Sequence, residues 1–62
     1  MIEVTKMSNI KITLNDDLIE TIEETPDTVI TLTTGKKLIV KESRQEVFNL
    51  VKLYKKELYK QD

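Results

Sequence analysis

The chain has 62 residues, 10 basic and 11 acidic side chains, a net charge of −1, and neither Cys nor His. So short a chain forms one domain that covers its apolar surface incompletely. Disulfides are excluded, the usual zinc and copper ligands are missing, and no global field draws nucleic acid.

Met1 to Thr5 is short, apolar and partly β-branched, and reads as a strand. Ser8-Asn9 is a turn signal. Ile10, Ile12 and Leu14 then alternate with Lys11 and Thr13, the period-two pattern of a strand with one buried face. Asn15-Asp16-Asp17 marks a second turn, because short polar side chains bond their own backbone.

Leu18 to Glu24 fits two readings. A helix groups Leu18, Ile19 and Ile22; a strand puts Leu18 and Ile22 on one face and Ile19 and Thr21 on the other. Pro26 leaves room for only about two helical turns, which favours a short strand, regular or bulged, with its acids at an exposed edge.

Thr25-Pro26-Asp27 is a turn, with Pro restricting φ and Asp supporting the bend. Thr28 to Thr33 is a β-branched strand with Ile30 and Leu32 on one face and Val29 and Thr31 on the other. Thr34-Gly35 turns the chain, Gly being free to take positive φ. Lys37 to Lys41 returns as a strand with Leu38 and Val40 inward. Val29 and Ile39 form an apolar pair on the second face, which implies a cover: the helix or another subunit.

Ser43 opens a helix. Glu46 stands three residues later, the spacing of a capping box. Val47, Leu50, Val51, Tyr54 and Leu58 form an apolar stripe, Phe48 and Tyr59 widen it, and Leu53 lies off it. Lys52, Lys56 and Lys60 form a row four residues apart, where cations complement the helix dipole. The expected fold is therefore α+β within one domain, residues 1–62. Residues 1–42 form four to five short antiparallel strands in a hairpin meander, and residues 43–60 an amphipathic helix.

Charge is uneven along the chain. Residues 15–34 carry six acids and no base, whereas residues 35–62 carry eight bases and four acids. No stretch approaches the ~18 apolar residues of a membrane span, and no basic region with a long apolar core opens the chain. A soluble cytoplasmic protein is expected. Oligomerisation is the device left to stabilise so small a core, so a homo-oligomer is also expected.

Little here supports catalysis. Without His or Cys the common nucleophile–base pairs are missing. Ser43 is explained as a cap, and Asp16-Asp17 and Glu23-Glu24 fall at turns and edges, where solvent keeps both members ionised. "TTGKK" lacks the earlier Gly, the following Ser or Thr and the helix of a phosphate-binding loop. Asn15-Asp16-Asp17 lacks the ligand spacing, central Gly and terminal Glu of a calcium loop. No catalytic, cofactor or metal residue is assigned. Phe48, Leu53, Tyr59, Lys52, Lys56 and Lys60 are the candidate interaction residues. Asn15, Pro26, Asp27, Gly35, Ser43 and Glu46 are structural positions.

Three pieces of the chain carry a resemblance. "MIEVTKM", "LNDDLIETIEETPDTVITLTTGKKLIVKES" and the helix positions Glu46, Val47 and Tyr54 resemble the small FlbD family of flagellar proteins, also called SwrD. The resemblance covers nearly the whole chain and is most specific from Asn15 to Ser43. It departs at Ser8-Asn9, where a Gly-containing turn is expected, and at Arg44-Gln45. It implies a cytoplasmic accessory protein of bacterial motility, associated with swarming and with motor power rather than filament building. Its implied partners are itself and stator or motor-associated proteins, with a location in the cytoplasm or peripherally at the flagellar motor. It supplies no catalytic residue and no cofactor.

Two other classes compete. Short strands followed by one helix also look like the CsrA translational regulators, which are intertwined RNA-binding dimers. "MIEVTK" echoes their start, and Arg44 falls near their basic cluster. Against this, the chain has one Arg, and its aromatics Phe48, Tyr54 and Tyr59 all sit on the helix rather than at base-stacking positions; no nucleic acid is expected. A membrane-surface adaptor would place Lys52, Lys56 and Lys60 near anionic lipid, with membrane contact at most peripheral.

Overall fold

The computed structural model describes residues 1–58. Its elements are β1 (Ile2–Thr5), β2 (Lys11–Leu14), a 3-10 turn (Asp16–Leu18), β3 (Ile19–Glu24), β4 (Thr28–Leu32), β5 (Lys37–Val40) and α1 (Arg44–Leu58). The fold is α+β, as the residue pattern implies. The five antiparallel strands divide between two sheets, β1-β2 and β3-β4-β5.

In the first hairpin Ile2 pairs with Leu14 and Val4 with Ile12. Ile2, Val4 and Leu14 are buried, as alternation requires. Ile10 departs from that pattern. It precedes β2 and is 57% exposed, because it closes the turn: Lys6 N donates to Ile10 O (2.8 Å) and Asn9 N to Lys6 O (2.9 Å). Asn9 holds φ at 70°. It takes the left-handed position for which a glycine was expected, one that Asn tolerates because its short amide bonds locally.

Of residues 18–24, Ile19–Glu24 form the strand and Leu18 ends the 3-10 turn; Ile19 and Ile22, expected on opposite faces, both pack against the core. Asn15 caps the 3-10 turn, its Oδ1 accepting from Asp17 N at 3.1 Å. Ile19 then pairs with Leu32 and Thr21 with Thr31, so Glu20 is the extra residue of a bulge. Glu20, Glu23 and Glu24 are exposed on a strand paired only to β4; charge on such an edge discourages further strand pairing. The Thr25–Pro26 peptide is cis. At the next turn Gly35 sits at φ 93° and its N–H donates to Leu32 O (2.8 Å), which requires the glycine.

The two sheets meet where β1 and β5 end. Lys6 bridges to Val40, and Lys41 N donates to Thr5 O at 2.8 Å. Glu42 completes the junction, accepting from both the N–H and the hydroxyl of Thr5, each at 2.8 Å. One core forms across the junction: Ile2, Val4 and Leu14 from the first sheet, Ile30, Leu32 and Val40 from the second, and Val47 from the helix. A fully buried aliphatic side chain contributes about 1.5–3 kcal/mol relative to exposure.

Helix α1 packs against β1 and β3. Leu50, Val51 and Tyr54 border the core half-buried. Phe48, expected to widen the stripe, is 54% exposed. The helix also leaves the second sheet face uncovered: Val29 pairs with Ile39 as expected, yet Ile39 is 49% exposed. Packing on the opposite face decides this, because Val47 is needed there to close the core between the sheets.

The capping box is present. Glu46 N donates to Ser43 Oγ (3.1 Å) and Ser43 N to Glu46 Oε1 (2.9 Å). Glu24 of β3 adds a third acceptor, taking Arg44 N at 2.9 Å. Ser43→Ala should therefore cost about 1 kcal/mol, read as a lower urea midpoint with an unchanged m value.

Candidate interaction surfaces

The structure scatters the residues expected to make contacts. Phe48 and Leu53 occupy opposite flanks of α1. Phe48 lines a cavity of about 380 Å³ toward β3 with Ile19, Ile22 and Arg44. Leu53 lines the β1 flank with Glu3 and Leu50. Lys52 and Lys56 are exposed, while Tyr59 and Lys60 lie outside the described residues. The Phe48 flank faces β3 and the Leu50–Leu53 flank faces β1.

The structural positions mostly do what their residue types suggest. Asn15, Ser43 and Glu46 cap, and Gly35 turns. At the bend around Pro26, Thr25 N donates to Asp27 O at 3.3 Å.

Asp16 was expected at a solvated turn, and here the structure corrects the expectation. Its side chain is 1% exposed. It stays ionised because cations reach it. The Met1 ammonium donates to Oδ1 at 2.8 Å, and Lys55 Nζ stands 3.4 Å from Oδ2. That second contact is a charge contact without hydrogen-bond geometry, so Oδ2 is buried and unbonded. The Met1 ammonium holds the Asp16 pKa below its ordinary 3.8; burial opposes it, and backbone hydrogen bonding and Lys55 assist.

Lys55 completes the cluster by donating to Asp17 Oδ1 at 2.9 Å, and this bond raises its pKa. Lys55 lies outside the 52/56/60 row, and sequence reading passed over it. The partnership joins residues 38 positions apart, which no local spacing signals.

Glu42 was also missed. Burial pushes its pKa up, but the two hydrogen bonds from Thr5, with a backbone hydrogen bond at Glu42 itself and the charge of Lys11, leave it below 4.5. Asp16 and Glu42 are thus acids anchoring the fold, engaged by donors within the chain. Among the described residues, no group of three or more His, Cys, Asp or Glu is arranged to hold a metal. No helix among them is long and apolar enough to cross a membrane.

The class that emerges is a small α+β domain with an exposed apolar flank on each side of its helix. The family of flagellar and swarming motility proteins, FlbD, has a model that matches residues 1–59. The chain belongs to that family. No curated protein and no solved structure matches it.

The depressed pKa values of Asp16 and Glu42 predict acid sensitivity with a definite sign. Their folded values lie below the ordinary 3.8 and 4.5, so their contribution is present above those values and is lost as pH falls through the folded values beneath them. Asp16→Asn should cost about 1–3 kcal/mol at neutral pH. The gap between variant and parent should narrow toward pH 2 in urea titrations at stepped pH.

Proposed function

We propose that this protein is a non-enzymatic accessory of the bacterial flagellar motor, supporting swarming by raising motor torque through stator function or assembly. The family match across residues 1–59 carries this reading. It places the chain among flagellar and swarming motility proteins, and the torque step is our own extension. A non-catalytic role agrees with the residues. The chain has no His or Cys, and its buried acid Asp16 is engaged by Met1 and Lys55. The protein acts in the cytoplasm, peripherally at the motor.

We assign self-association to the Phe48 flank, where an exposed aromatic lies beside Ile19 and Ile22. Among the described residues nothing favours RNA as the ligand: the chain's single arginine, Arg44, stands at the helix start, its backbone N–H bonded to Glu24.

The deciding experiment deletes the gene in a flagellated host, counts flagella and measures single-motor torque by tethered bead. Normal flagellar number with reduced torque is expected. Lost flagella with full torque in the remaining motors would remove the motor reading. For the purified protein, Phe48→Glu should give a smaller species by light scattering with its β-sheet circular dichroism intact. An unchanged mass would remove the Phe48 assignment.

A further inference from the structure

A groove runs along the β1 side of α1. Two adjoining cavities of about 370 and 230 Å³ share Glu3, Leu50 and Leu53. Leu50 and Leu53 form its apolar floor, and Leu53 is 55% exposed. Three carboxylates line it, those of Glu3, Glu42 and Glu46. Among the described residues, no Lys or Arg side chain lines either cavity. The Met1 ammonium lies toward one end and is already engaged by Asp16.

The acids of this rim are held in place. Glu42 is tied by both of its oxygens to Thr5. Glu46 is tied through Oε1 to the Ser43 N–H. The position of each is set by a strand end or a helix cap. The concentration of acid is a product of folding, because Glu42 and Glu46 come from the half of the chain in which bases predominate.

We propose that this groove docks a basic amphipathic segment of a partner protein. Its apolar side chains would lie on Leu50 and Leu53, and its Lys or Arg side chains against Glu3, Glu42 and Glu46. The inference rests on the reading of this chain as an interaction protein and names the chemistry of its partner. An amphipathic helix laid in an apolar groove is a recurrent recognition mode. The carboxylates supply orientation, a faster encounter and discrimination against acidic segments. A charge-driven component of this kind weakens with salt.

The test uses the purified full chain and a fluorescein-labelled synthetic amphipathic peptide of Leu and Lys. Its Leu/Glu counterpart is the control. Anisotropy should show binding of the Leu/Lys peptide with Kd on the order of 1–100 μM, weaker at high salt, and no binding of the Leu/Glu peptide. Glu3→Lys and Leu53→Ser, both at exposed positions, should each weaken binding about tenfold or more with circular dichroism unchanged. Ile39→Ser, on the outer face of the second sheet, should leave it unaltered.

No binding of the Leu/Lys peptide, equal binding of both peptides, or indifference to Glu3→Lys and Leu53→Ser would overturn the assignment. So would light scattering in which those two substitutions break up an oligomer of the parent chain, since the occupant would then be a second copy. Peptide binding and motor torque are separate readouts. Reduced torque on deletion without peptide binding removes the groove and keeps the motility reading; binding with normal torque does the reverse.

Discussion

A two-stranded hairpin cannot bury its own apolar face, and a three-stranded meander does so only in part. This chain holds one of each, and the constraint on everything else is that a single helix must close both. Val47, fully buried, is where that happens. It completes a core built from Ile2, Val4 and Leu14 on one side and Ile30, Leu32 and Val40 on the other. The helix can do this because polar contacts hold it at two places. Ser43, Glu46 and Glu24 satisfy its first turn, and Lys55 is drawn onto Asp16 and Asp17 near its other end.

That placement makes the surfaces. A helix seated with Val47 down cannot also cover the outer face of the meander, so Val29 and Ile39 remain partly open. Nor can it turn both flanks inward. Phe48 is left toward β3 and Leu53 toward β1. In a chain with no disulfide and no metal ligand of the Cys or His type, these exposed apolar side chains are the material from which contacts with other molecules are made. Asp16 and Glu42 are both tied within the chain, and Glu42 also borders one groove with Glu3 and Glu46.

Much of the fold was legible because its signals are local. Alternation in Thr28–Leu32, the Ser43–Glu46 spacing, and Pro26 and Gly35 at turns each act through near neighbours along the chain. The strand favoured over 18–24 forms from Ile19 to Glu24, since Pro26 leaves too little length for a stable helix. The exposure of Ile10 was not legible, because alternation continues through residue 10 while the turn that removes it from the sheet is set by backbone bonds to Lys6. The candidate contact residues were less legible. A helical wheel put Phe48 beside the buried stripe, but only the position of β3 decides how far that stripe extends.

The residues by themselves determined the strand and helix periods, the turns, the cap and the resemblance on which the family rests. Each depends on side chains a few positions apart or on the letters themselves. The tertiary structure alone decided which acids are structural and which face outward. Asp16 is held ionised in the interior chiefly by the Met1 ammonium, with backbone hydrogen bonding and Lys55 assisting. Glu42 is held low against burial mainly by the two hydrogen bonds from Thr5. Those partners are 15, 39 and 37 positions away along the chain, and Coulombic and hydrogen-bond energies depend on distance in space, which no local pattern encodes.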